Sequence, residues 1–83
     1  LVATVEGRVV GALVRDGDRV TAVATRRRWR GRGVGTALVS AAAVEEGRLV
    51  AAFDPEGRPF YESLGFEVKP AGEDGRLHGQ LAR

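Results

Sequence analysis

The string Arg30-Gly31-Arg32-Gly33-Val34-Gly35-Thr36 constrains the fold of this chain more than any other segment. It follows an alternating, β-branched run at residues 19–25 and opens an alanine-rich stretch with helical spacing. Glycine lets backbone N–H groups approach a ligand closely. The first turn of a helix leaves N–H groups without intrahelical acceptors and carries a partial positive charge. Arg30 and Arg32 add full charges, so the junction is a candidate phosphate site.

Two other phosphate loops do not fit this string. A Walker loop needs Lys and then Ser or Thr after its last glycine, and Val34 follows Gly33. A dinucleotide fingerprint needs G-x-G-x-x-G, whereas Gly31, Gly33 and Gly35 alternate, and no acidic residue ends the next strand before Asp54.

The flanking segments predict an α/β fold. Residues 1–5 read as a strand, Glu6-Gly7 as a turn and residues 8–15 as a second strand. Asp16-Gly17-Asp18 is a hairpin signal, and residues 19–25 form a third strand. Both faces of that strand are largely apolar, which places it in the middle of a sheet. Residues 33–46 predict one long helix with a stripe at Val34, Leu38, Ala41 and Val44, stopped by Gly47. A strand at 48–53 completes a βαβ unit with a parallel pair. A loop at 54–57 leads into a short helix at 59–64, with Pro59 in its first turn and Gly65 past its end. A final hairpin pairs residues 66–69 with 77–81 around the loop 70–76.

At 83 residues, the chain is sized for one domain spanning residues 1–83. A domain this small is marginal alone, and a homodimer would help to cover its sheet. It has no cysteine, which points away from a disulfide-stapled secreted fold and toward the cytoplasm. No run approaches the ~20 apolar residues that span a bilayer, so no membrane partner is expected. Leu1 rather than Met opens the sequence, so an upstream start is expected. The net charge is only +2, yet five of the twelve arginines fall in residues 26–32.

Two segments together carry a family resemblance. Arg30-x-x-Gly33-x-Gly35, preceded by Trp29 and followed by Thr36-Ala37-Leu38, resembles motif A of the GNAT superfamily of N-acetyltransferases. Phe60-Tyr61-Glu62-Ser63-Leu64-Gly65-Phe66 resembles that family's F-Y-E-x-L-G-F segment. The likeness runs over nearly the whole chain. It implies a mixed, mostly antiparallel sheet with one long and one short helix. It also implies acetyl transfer from acetyl-CoA to an amine acceptor, a small molecule or a peptide, by direct attack.

The resemblance further implies residue roles. The pyrophosphate of coenzyme A would rest on backbone N–H groups of Gly31, Arg32, Gly33, Val34, Gly35 and Thr36, with Arg30 beside it. The pantetheine arm would pair with Val23, Ala24 and Thr25, whose backbone would polarise the thioester carbonyl. Asp54 would accept a hydrogen bond from that arm, and Tyr61 would be the general acid for the departing thiolate. No metal ligand is implied, and no general base emerges. Glu6, Glu45 and Glu46 read as solvated charges, and His78 as a structural residue.

The chain also departs from the family pattern. Asp54 stands where the family often has Asn, and Gly57 where it often has Ala. Arg27-Arg28-Trp29 replaces a commoner Pro-Glu-Tyr. Family members usually carry two helices before their second strand, and this sequence begins where that strand should be. Two alternatives follow: a non-catalytic acyl-CoA sensor, and a nucleic-acid-binding module that uses residues 26–32 with Trp29 as a stacking platform. The small net charge and the single aromatic in the patch weigh against the second.

Overall fold

The computed structural model describes residues 1–70 and 74–82. Glu6 and Gly7 both take left-handed φ, 50° and 79°, the twist that a two-residue hairpin turn requires. They join β1 (Val2–Val5) to β2 (Arg8–Asp16), and a turn at Gly17 leads into β3 (Arg19–Thr25). Both pairings are antiparallel, and each contains a register shift, between Ala3 and Thr4 in β1 and between Val14 and Arg15 in β2. A 3-10 turn at Arg27–Trp29 then precedes α1 (Val34–Glu46). Gly47 ends α1 with φ 82° and donates to the Ala43 carbonyl, a left-handed helix stop.

The second half runs β4 (Arg48–Phe53), α2 (Arg58–Ser63), β5 (Glu67–Pro70) and β6 (Leu77–Ala82). The six strands form one sheet in the order β1-β2-β3-β4-β6-β5, antiparallel at every neighbour except β3 and β4. β3 is central, as its two apolar faces predict. The expected loop at 54–57 contains a 3-10 turn, Pro55–Gly57, and α2 begins and ends one residue early. Residues 71–73 of the predicted loop 70–76 lie outside the described residues.

Both helices pack on one face of the sheet. Leu38, Val39, Ala42 and Ala43 of α1 join Leu13, Leu49, Ala51, Phe53, Leu64 and Phe66 in the core. The helical stripe therefore differs from its expected position: Ala41 is exposed and Val44 is 63% exposed. α1 is apolar on nearly all sides, so spacing alone does not select the face that meets the sheet. Gly11 allows the close approach of α1 to β2. A β-carbon there would stand 2.7 Å from Val34 Cγ1 and 3.1 Å from the Ala24 carbonyl oxygen. Arg15 of β2 ties down the far end of α1 through ion pairs to Glu45 and Glu46.

The opposite face of the sheet has no covering layer among the described residues. Val14 is 57% and Val2 56% exposed, and the cross-strand neighbours Ala22 and Ala24 are exposed with them. The molecule is accordingly thin, 18 Å along its shortest axis.

Candidate functional site

The parallel junction positions the site. β3 and β4 share a single register pair, Arg19 with Val50, reinforced by a 2.8 Å bond from Val50 N–H to the Asp18 carbonyl. Beyond it the strands part, and no register pair joins the β4-facing edge of β3 from Thr21 to Thr25. Backbone groups alternate sides along a strand. Arg26 N–H donates to the Val10 carbonyl on β2 at 2.8 Å, so Ala24 turns the same way. Val23 and Thr25 therefore present their backbone groups to the gap. Consistent with this, Arg30 Nε donates to the Thr25 carbonyl at 3.3 Å.

The predicted phosphate loop bends at the end of this gap. Gly31 (φ 74°) and Gly33 (φ 82°) are left-handed, and a β-carbon at either would meet no atom within 4 Å. Their requirement is conformational. Gly33 caps α1 with no side-chain hydrogen bond, and Ala37 N–H reaches the Gly33 carbonyl at 2.9 Å. Among the described residues, no hydrogen bond of ordinary geometry satisfies the N–H groups from Gly31 to Thr36. Gly35 has a different purpose. Its φ is not left-handed, but a β-carbon would come within 3.2 Å of Leu64 Cδ2.

These groups line a cleft of about 340 Å³ whose walls include Thr25, Arg30, Gly33, Thr36, Phe60 and Leu64. An adjoining hollow runs along Val23, Ala24 and Thr25 to Phe60. Phe60, Ser63 and Leu64 were not among the sequence-predicted site residues. They belong to the second motif, and a helix covering the gap next to α1 would have drawn attention to them.

Tyr61 sits one position behind this wall. Its ring stacks on Phe53 at 4.1 Å and meets Phe60 and Phe66 edge-on at 5.3 and 5.5 Å. Partial burial among these rings raises its hydroxyl above the ordinary tyrosine value. The group stays protonated through neutral pH, so it carries an O–H that can donate a hydrogen bond there.

Three predicted residues line neither cleft nor hollow: Tyr61, packed behind Phe60, and Arg32 and Asp54, which point elsewhere. The Arg32 guanidinium lies over the Trp29 ring at 5.1 Å and faces a neighbouring groove instead. Asp54 is exposed at the end of β4, where its carbonyl accepts from Gly57 N–H at 2.8 Å, and it lines neither cleft nor hollow. Among the described residues, no group of three His, Cys, Asp or Glu side chains could hold a metal ion. Among the described residues, no helix is long and apolar enough to cross a membrane.

Comparison with known proteins places this geometry in context. A family model described as an acetyltransferase (GNAT) domain matches residues 1–68. No curated protein sequence matches the chain. Among solved structures, apo YjaB from Escherichia coli is 27% identical with a TM-score of 0.73, over 98% of this chain and 61% of that one. PH1933 from Pyrococcus horikoshii is 16% identical with a TM-score of 0.76, over 99% of this chain and 63% of that one. The Bacillus subtilis N-acetyltransferase YlbP, solved in complex with coenzyme A, is 13% identical with a TM-score of 0.70, over 96% and 64%. The chain thus spans less than two thirds of the length of these proteins.

Proposed function

This chain belongs to the GNAT acetyltransferase family, and from that premise we propose that it transfers the acetyl group of acetyl-CoA to an amine acceptor. The observation that carries the proposal is the unpaired N–H array of residues 31–36 at the end of a splayed parallel strand pair. Left-handed glycines with open space above them fit a bulky anion, and Arg30 at the loop's start fits its charge. YlbP, of like fold, was solved with coenzyme A.

When bound, acetyl-CoA supplies an activated acyl carbon. The chain's own groups orient and polarise it. Val23 and Thr25 offer strand-edge backbone groups along which an extended arm can pair, and a backbone N–H there can donate to the thioester oxygen. The acceptor nitrogen attacks the acyl carbon, the carbon–sulfur bond breaks, and an amide and a free thiol result. The nitrogen loses one proton and the sulfur gains one. Tyr61, held protonated by burial, is the proposed donor toward the departing sulfur. A tyrosine above its usual ~10 gives up its proton to a thiolate of ~8.5 only uphill. Its contribution is therefore hydrogen bonding to the developing negative charge, and the thiolate takes its proton from solvent.

The test is thiol release from acetyl-CoA across a panel of small amines and peptides, with product amide confirmed by mass. Amine-dependent release supports the proposal. Tight acetyl-CoA binding with no release on any amine would favour a sensor of acyl-CoA.

A further inference from the structure

A second concave surface lies on the uncovered side of the sheet, beyond the cleft. The start of β2 and the turn after β3 enclose a groove of about 760 Å³, lined by Arg8, Val10, Arg26, Arg27, Arg28 and Trp29. It continues past Trp29 to Arg32 and Glu6. Val10 is buried yet stands outside the core cluster beneath α1, so it belongs to the floor of this groove. The size is that of a ligand site.

The groove gathers five guanidiniums against the one carboxylate of Glu6. None of the five takes part in an ion pair among the described residues; those pairs involve Arg15, Arg48 and Arg58. Arg26 Nε is fixed on the Val9 carbonyl at 2.7 Å, and Arg32 is stacked on Trp29. Arg8, Arg27 and Arg28 keep their charge for a ligand. Clustered arginines of one sign repel each other until an anion joins them, and their planar forks suit carboxylate or phosphate.

The groove's position ties it to acyl transfer. It begins at Arg26, one residue past Thr25, and Trp29 borders both groove and phosphate cleft. α1 and α2 close the other face of the sheet. An acyl group held in the gap between β3 and β4 is therefore open to an acceptor from the uncovered side. Resting on the acyl-transfer function above, we propose that the acceptor is an acidic amine, with carboxylate or phosphate groups bound by Arg8, Arg27 and Arg28. A net charge of only +2 and one aromatic in the groove favour a compact anion over a nucleic acid.

The test is calorimetric titration of the 83-residue chain at fixed moderate salt. Coenzyme A is titrated first. The peptides Ala-Glu-Glu, Ala-phosphoserine and Ala-Gln-Gln, each with a free amino terminus, follow onto the coenzyme-loaded chain. The expected result is binding of at least one acidic peptide about tenfold or more tighter than the neutral one. Whichever acidic peptide is tighter identifies carboxylate or phosphate as the anion. The double variant Arg8→Gln/Arg28→Gln should erase the preference and leave coenzyme A affinity unchanged.

Coenzyme A binding with equal affinities for acidic and neutral peptides would overturn the acidic-acceptor proposal alone. A double variant that loses coenzyme A affinity would overturn it by assigning the groove to the cofactor. Tighter binding of a single-stranded oligonucleotide, lost in the same variant, would overturn it in favour of nucleic acid. Failure of coenzyme A to bind would overturn the acyl-transfer function, and the acceptor role with it.

Discussion

Gly35 and Leu64 meet so closely that a β-carbon on Gly35 would lie 3.2 Å from Leu64 Cδ2. This contact seats the first turn of α1 against α2 and gives the phosphate cleft one of its walls. Gly33, two residues earlier, has open space around it but φ 82°. The two glycines therefore predict different failures. Gly33→Ala should cost about 1–2 kcal/mol of backbone strain and weaken coenzyme A binding by distorting the N–H array. Gly35→Ala should push Leu64 outward, with a smaller stability loss. Denaturant unfolding beside coenzyme titration separates the two effects.

Gly11 should be the least replaceable glycine of the sheet. Gly11→Ala brings a β-carbon against Val34 and the Ala24 carbonyl, and overpacking of this kind costs about 1–3 kcal/mol. Urea unfolding of the variant should show that loss; unchanged stability would mean that α1 sits differently on β2.

Tyr61 is the only tyrosine, so its titration can be followed by absorbance without assignment. Its hydroxyl is raised by burial, so the folded state holds the proton more tightly than the unfolded state. Above the unfolded value of ~10 the unfolded state binds fewer protons, and stability falls as pH climbs through the folded value. Below that range the contribution is constant. Tyr61→Phe should remove the alkaline slope, and should slow acyl transfer while sparing coenzyme affinity.

Arg15 faces two carboxylates, Glu45 and Glu46, at the C-terminal end of α1, where the helix dipole disfavours negative charge. Arg15→Gln should lower stability at low salt, and the difference should shrink as salt rises.

Much of the fold was legible because strong local signals coincided. The glycine turns, the stop at Gly47 and the helix-opening loop each have one economical backbone solution, and the structure adopts it. The face of α1 was not legible, because Ala37, Ala41 and Val44 are as apolar as the residues that became buried. At the site, the motif fixed the loop but not the directions of its side chains. Arg32 turned onto Trp29, a contact between neighbours that spacing does not reveal. Asp54 could be expected near the cofactor only by analogy, and its position after β4 depends on how far β3 and β4 part. Phe60 forms a wall of the cleft only because α2 packs beside α1, a tertiary event.

The central claim is that the loop at residues 31–36 binds the pyrophosphate of coenzyme A. The direct test is calorimetry of coenzyme A against the unaltered chain and Gly33→Asp, with coenzyme A lacking its 3′-phosphate as a control. The account predicts saturable one-to-one binding, largely kept without the 3′-phosphate and abolished by Gly33→Asp, whose carboxylate would face the anion. Normal affinity in a folded Gly33→Asp variant would contradict it.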